Sequence, residues 1–291
     1  MPDRLAAFYA AAFGFVQIND VTINEPAFAR LMRIPGATAR VITLQLGEQE
    51  IELIDVHPSG RKYPRGVSSH SRLFQHFAIV ASDMTAAYER LSGQTGWTAI
   101  STDGPQLLPA SSGGVTAFKF RDPEGHPLEL IAFPTDAVPN EWQGSADDEC
   151  LGIDHSAISI ADTERSLEFY RRFGLRHSGG SLNHGAEQDR LDGLERVTVE
   201  VTALAPHRFS TPHVELLCYR SRTDQTAVLL GANDVAATRL VMVVPNEETL
   251  ETLCTQNPDA ILSGPVRFEH GAQHAVLRDP DGHLLCLEAL E

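Results

Sequence analysis

Cysteine is scarce in this 291-residue chain, and the four that occur, Cys150, Cys218, Cys254 and Cys286, form neither a Cys-x-x-Cys spacing nor a dense framework. That excludes a disulfide scaffold and points to reduced thiols in a cytoplasmic protein. Positive charge is also short: 23 Lys and Arg face 39 Asp and Glu, for a formal charge of -16 and a pI near 5.1. With no run of Lys or Arg as a local exception, nucleic acid and anionic membranes are excluded as partners. The nearest approach to a long apolar run is Leu5 to Val16. Asp3 precedes it and no basic region does, so it suits a buried helix better than a signal peptide. No P-loop, nucleophile elbow or dinucleotide fingerprint occurs. Ser111-Ser-Gly-Gly114 has no strand-to-helix context for phosphate and reads as a loop.

What the chain has is repetition. Strand-like endings recur as Glu48 to Val56, Gly125 to Phe133, His213 to Tyr219 and Gly282 to Glu288, and two of them follow Arg-Asp-Pro-(Glu/Asp)-Gly-His. A repeat at quarter-chain intervals must be read as modules before anything else. Asp3 to Phe15 matches Asp162 to Leu175: a polar start, an apolar stripe containing Phe-Tyr, then Phe-Gly with a glycine suited to a left-handed helix end. Alternating β-branched segments follow in each case, Ala39 to Leu46 then Glu50 to Val56, and Arg196 to Thr202 then His213 to Tyr219. The pattern is one βαβββ unit per quarter. It predicts an N-terminal domain over 1-135 (modules 1-56 and 72-135), a Pro-, Asp- and Glu-rich linker over 136-150, and a C-terminal domain over 151-291 (modules 151-220 and 237-291). Asp122-Pro-Glu-Gly and Asp279-Pro-Asp-Gly have tight-turn chemistry, so they read as structure rather than catalysis, with His126 and His283 as packing or hydrogen-bonding partners. The polar stretch His184 to Gly193 reads as a solvated loop, with a substrate loop as its alternative.

Paired βαβββ modules, Phe-Tyr…Phe-Gly helices, Asp-Pro-x-Gly-His turns and a glutamate on the last strand resemble the vicinal oxygen chelate superfamily. That superfamily includes glyoxalase I, methylmalonyl-CoA epimerase, extradiol dioxygenases, and fosfomycin and bleomycin resistance proteins. The resemblance covers nearly the whole chain. It implies an α+β fold of two cup-shaped mixed sheets, with a divalent metal held by the first and last strands of each module. In the second quarter His76 sits at the first-strand ligand position and Glu129 at the last-strand position, with Glu52 as the first-quarter counterpart. Strand alternation puts Glu52 on the face opposite Ile51 and Leu53, free to enter a polar cup. One imidazole and two carboxylates suit a divalent Zn, Mn, Ni or Fe ion. The expected site is therefore Glu52, His76 and Glu129, with Glu129 or Glu52 as the base.

Two departures stand against the family pattern. The third quarter opens with Leu151 to Ala161 ahead of its helix, whereas the first begins at Met1-Pro2 directly before its helix. The first strand and its ligand, the counterpart of His155, are missing. A truncated start is the favoured expectation; the alternative is that another segment or a neighbouring chain, as in a homodimer, covers the gap. In the fourth quarter Arg239 stands where His is expected and Cys286 aligns with Glu129. The C-terminal domain is thus expected to hold no metal, with His155, Glu215 and Arg239 as a charged cluster or ligand site and His213 and His274 as ordinary strand histidines, cup-facing additions being the alternative. For function the resemblance implies a glyoxalase-like metal-dependent lyase or isomerase acting on a small molecule with neighbouring oxygens. The alternatives are a metal-free binding or resistance protein that sequesters an aromatic or drug-like ligand, and an extradiol-type dioxygenase.

Overall fold

The computed structural model describes residues 2–143, 149–207, 211–220, 229–269 and 271–290. The first quarter contains α1 (Pro2–Phe13), β1 (Val16–Ile23), α2 (Pro26–Met32), β2 (Thr38–Leu46) and β3 (Gln49–His57). The second contains β4 (Gln75–Ala81), α3 (Met84–Ser92), the short β5 (Thr98–Ala99) and β6 (Gln106–Leu107), β7 (Thr116–Arg121) and β8 (Pro127–Ala132). The third contains β9 (Cys150–Ile160), α4 (Thr163–Arg172), β10 (Arg176–His184), α5 (Ala186–Asp192), β11 (Thr198–Ala205) and β12 (His213–Tyr219). The fourth contains β13 (Arg239–Val244), α6 (Glu247–Gln256), β14 (Ile261–Arg267), β15 (Gln273–Arg278) and β16 (Leu284–Ala289). None of the helices is long and apolar enough to cross a membrane among the described residues.

Local chemistry explains where the helices begin and end. The Asp83 side chain accepts from the Thr85 and Ala86 amides, Asp162 accepts from the Arg165 amide, and Asn246 accepts from the Thr249 amide, satisfying donors a helix leaves unpaired at its start. Gly14 and Gly174 close α1 and α4 at φ 82° and 87°, a left-handed conformation that glycine adopts without strain. The stretch His184 to Gly193, expected as a loop, contains α5: Leu191 packs on Leu108 and Ala117, and Gln188 and Asp192 are buried. Segment polarity concealed it because two of its inward side chains are polar but internally bonded.

Each half keeps an apolar core. In the first, Leu5, Phe8, Tyr9 and Phe13 of α1 pack with Ile42, Leu44, Ile79, Phe118, Phe120 and Leu130. In the second, Phe169 and Tyr170 of α4 pack with Ile158, Leu216, Leu250, Leu277 and Leu287. The sheets obey a different division. A nine-stranded sheet runs β10-β11-β12-β9-β4-β8-β7-β5, with β6 also on β7, so the second and third quarters share one sheet. β9 lies antiparallel to β4 and parallel to β12. The first and fourth quarters form separate sheets, β1-β2-β3 and β13-β16-β15-β14, which meet through Phe28, Leu31 and Val56 against Val266, Phe268 and Val276. One cup per half was the expectation; the strand pairing instead builds cups across the halves. Among the described residues no strand precedes α1, and β3 and β13 end their sheets. Of the expected linker, 144–148 lie outside the described residues, while Trp142 is buried against Ala78, Val80 and Ile131.

The duplicated turns act as locks between helix and sheet. Tyr9 donates its hydroxyl to Asp122 Oδ2 at 3.1 Å, and Tyr170 donates to Asp279 Oδ2 at 3.0 Å. Asp122 Oδ1 also accepts from the amides of Glu124, Gly125 and His126, and Asp279 Oδ1 from those of Asp281 and His283. The phenylalanine–tyrosine pair of each helix is thus tied to the turn of the module that follows it on the same core. Replacing Tyr9 or Tyr170 by Phe is expected to lower unfolding free energy in urea by about 1 kcal/mol each. Asp279→Ala should cost more than Tyr170→Phe, because it leaves amide donors and a hydroxyl without their acceptor.

Candidate metal centre

The β4–β9–β12 ladder sets the centre. In one row across it stand His76, Ala157 and Glu215; in the next stand Ala78, His155 and His213, with Glu129 paired to Ala78 from β8. Side chains two apart on a strand share a face, so His76 and Ala78 enter the cup while Phe77 and Ile79 turn to the α1 side. The donors are therefore separated by alanines, Ala78 and Ala157, both fully buried. These small side chains leave room in the floor between four larger polar ones.

His76 Nε2 lies 2.8 Å from Glu129 Oε2, and His155 Nε2 lies 3.8 Å from the same oxygen and 3.5 Å from Glu215 Oε2. One donor atom each from His76, Glu129 and His155 fall within 4.8 Å of one another. Both nitrogens of His76 and Nε2 of His155 are buried without an aligned hydrogen-bond partner. Buried polar atoms seldom remain so unless something else binds them. Two imidazoles with unfilled nitrogens beside two carboxylates match the donor chemistry of a divalent transition ion.

A bulge in β9 orients the second imidazole. The register with β4 slips between Ala78–His155 and Ile79–Ile153, so Asp154 is the extra residue. Neighbours on a regular strand point to opposite faces, but here Asp154 Oδ2 reaches back to His155 Nδ1 at 2.9 Å while its Oδ1 accepts from Trp142 Nε1 at 3.2 Å. With Nδ1 engaged, Nε2 faces the glutamates, the arrangement by which outer carboxylates orient metal-binding histidines. Behind Glu129, the buried Lys119 is its cross-strand neighbour and pairs with Asp192 at 2.7 Å; Asp192 also accepts from Gln188.

Electrostatics follow from this layout. Burial alone would raise the Glu129 carboxyl, but Lys119 and both imidazoles outweigh it and hold it well below the usual carboxylate range. Glu215 is held down by His155 and His213 against the same burial effect. His155, though buried, is pushed well above its ordinary value by Glu215, Asp154 and Glu129, whereas burial, reinforced by Lys119 and His155, lowers His76. The cup is a concentration of ionised carboxylate around imidazole nitrogens.

Of the residues expected to form the site, the fold brings His76 and Glu129 together and leaves Glu52 out. Glu52 lies on β3 in another sheet, exposed, beside Glu50 and within electrostatic reach of Glu288. His155 and Glu215, assigned to a separate C-terminal cluster, join His76 and Glu129 instead. Arg239 is not with them: its guanidinium donates to the carbonyls of Ala232 and Ala237. The signal that could have found the quartet was in the repeats, since only the second and third quarters keep both a first-strand His and a last-strand Glu. Of the two expectations for His213 the geometry fits the cup-facing one, since it lies 3.6 Å from Glu215 and 3.8 Å from Asp154.

Comparisons agree with this fold. Residues 1–130 match the family described as Glyoxalase/Bleomycin resistance protein/Dioxygenase superfamily. The crystal structure of glyoxalase I from Zea mays superimposes with a TM-score of 0.65 at 18% identity, covering 99% of this chain and 88% of that one. A putative dioxygenase from Bacillus subtilis superimposes with a TM-score of 0.59 at 13% identity, covering 99% and 81%. No match was found among curated proteins.

Removing Lys119 alone should be severe. Lys119→Met strands Asp192 as a buried, uncompensated charge and is expected to cost about 3–5 kcal/mol. The double variant Lys119→Met with Asp192→Leu should recover much of that loss in the same denaturation measurement.

Proposed function

We propose, for a chain whose residues 1–130 match the Glyoxalase/Bleomycin resistance protein/Dioxygenase superfamily, that His76, Glu129, His155 and Glu215 hold one divalent metal ion. The protein then acts as a glyoxalase-like lyase or isomerase on a small molecule with neighbouring oxygens. The observation that carries the reading is the convergence in one buried cup of two imidazole nitrogens that lack aligned hydrogen bonds on two ionised carboxylates, His76 Nε2 2.8 Å from Glu129 Oε2 and His155 Nε2 3.5 Å from Glu215 Oε2. When bound, the ion would polarise the substrate's adjacent oxygens and stabilise negative charge that develops on them. The protein's own groups do the rest.

Glu215 is the better proton acceptor of the two carboxylates. Its side chain is 22% exposed against 8% for Glu129, and it stands 3.5 Å from its nearest imidazole rather than 2.8 Å. A substrate entering the cup meets it first, and it is freer to swing. Held ionised by His155 and His213, it can take a proton from a carbon next to a carbonyl and return it to the neighbouring carbon. Glu129, fixed by Lys119 and His76, anchors. Asp154 keeps His155 Nε2 directed inward, so its contribution is orientation rather than contact with substrate.

A second reading rests on one feature of the same site. His76, His155 and Glu129 alone are a two-histidine, one-carboxylate set, the donors of ferrous oxygenases. Glu215 as a fourth donor favours the first reading, because an oxygenase needs open positions where that carboxylate stands.

Purified protein is expected to carry about one equivalent of divalent transition metal by elemental analysis, and Asp154→Asn should weaken binding by roughly 10–100-fold. Glu52→Gln should leave metal content unchanged. With Glu215→Gln, exchange of the carbon-bound proton of α-hydroxycarbonyl substrates, followed by NMR in deuterated water, should fall by about 10²–10⁴-fold. Metal-free folded protein, or equal metal loss on Glu52→Gln and Glu129→Gln, would sink the assignment. Oxygen uptake with a catechol and ferrous iron would favour the second reading.

A further inference from the structure

The bulge that turns His155 inward is braced from outside its own sheet. A bulge leaves part of a ladder unpaired, and in β9 the amide of Ile153, immediately before Asp154, donates to Gln49 Oε1 at 3.1 Å. Gln49 opens β3, a strand of the first-quarter sheet that carries none of the four proposed ligands. Trp142 Nε1 donates to the next residue along, at Asp154 Oδ1, so two side chains from outside the nine-stranded sheet hold two successive residues of the bulge.

Space is left for this contact on both sides. A Cβ at Gly152 would lie 2.2 Å from Gln49 Oε1 and 2.8 Å from the Trp142 ring, and a Cβ at Gly47 would lie 2.3 Å from the Leu151 carbonyl oxygen. The β2–β3 turn and the start of β9 can meet this closely only with glycine at both places. Leu46 adds an apolar anchor, packing in one core with Cys150 and Ile153. The contact is particular to this place in the chain: three residues before the last-strand glutamate the first quarter has Gln49, whereas the third has Pro212, which offers no side-chain acceptor.

We propose that the β2–β3 turn is part of the metal centre and that Gln49 is a positioning residue for His155. Gln49 holds the Ile153 amide and so fixes the bulge, and the bulge brings Asp154 Oδ2 to 2.9 Å from His155 Nδ1. A carboxylate only accepts, so the proton of that bond sits on Nδ1, and Nε2 is left facing Glu129 and Glu215. The first quarter thereby contributes to the centre without supplying a ligand. The consequence for metal affinity rests on the function proposed above; the orientation of the imidazole does not.

Both are measured on the full chain. In metal-free, isotope-labelled protein, Gln49→Met should speed solvent exchange of the His155 Nδ1 proton, followed by NMR, by about tenfold. Gly47→Ala, which displaces the turn without altering Gln49, should do the same, Gln49→Glu, which keeps an acceptor, should restore slow exchange, and Glu48→Gln in the same turn should change nothing. With metal, Gln49→Met should raise the dissociation constant by about tenfold, but by less than about twofold when Asp154→Ala is already present, because both act through the same bond. Unchanged proton exchange in Gln49→Met, with only a lower unfolding midpoint in urea, would show a merely structural contact and overturn the proposal, as would full additivity with Asp154→Ala. If the unaltered protein binds no metal, the proposed chemistry fails and the proton-exchange comparison alone decides the role of Gln49.

Discussion

Everything distinctive about this protein depends on β9 pairing with two strands at once. Its early residues, Cys150 and Ile153, pack in the core of the first half, while Ile158 and Ile160 pack in the core of the second. One strand of a single chain thereby joins two separately cored halves into a continuous sheet, and its middle carries His155. Position along the strand converts directly into chemistry: the residues that anchor it lie at the ends, and the residue that faces the cup lies between them. The bulge at Asp154 costs one regular ladder position and supplies in exchange an oriented imidazole.

Duplication has kept the locks and divided the sites. Both helices still tie their tyrosines to the aspartates of the Asp-Pro-x-Gly-His turns, because those bonds serve packing within each half. The cups face no such requirement and have diverged. In the second one, Arg239 stands where His76 does in the first, and burial pushes the Cys286 thiol up to about 12, with Arg239 opposing. A neutral thiol beside a guanidinium offers a cation neither charge nor lone pairs of the right kind. The donor chemistry that suits a divalent ion is thus found in the cup that joins the second and third quarters and not around Arg239 and Cys286.

The repeats made the modules, the helix ends and the strand faces legible in the sequence, because local periodicity and turn chemistry are properties of short segments. They also singled out His76, Glu129, His155 and Glu215 as ligand-type residues. Which modules share a cup is not a local property. Asp3 to Phe133 contains two consecutive modules, and their adjacency in the chain made them look like partners in a site; what they share is a core on the helix side of the strands, however, and the cup lies on the other. Glu52 carries the same local signature as Glu215, a glutamate between apolar residues on a last strand, and only the strand order separates them. Asp154 and Lys119 were invisible for a related reason: one acts through a bulge and the other through an ion pair with Asp192 on α5, a helix whose polar inward face hid it.

The quartet is hard to account for as a stabilising device. An unsatisfied buried polar atom costs about 1–3 kcal/mol, and the cup holds His76 Nδ1 in that state and the inward nitrogens of His76 and His155 without aligned hydrogen bonds, next to carboxylates taken out of water. Apolar residues of similar volume on β4 and β9 would fill the same floor at lower cost, as Ala78 and Ala157 already do between the donors. Asp154, Trp142 and Lys119 add further buried polar contacts whose effect is to aim and charge this one cluster. Local rules of core construction are broken here and kept elsewhere on the same strands, which is the pattern expected where a fold bears strain for the sake of a bound group.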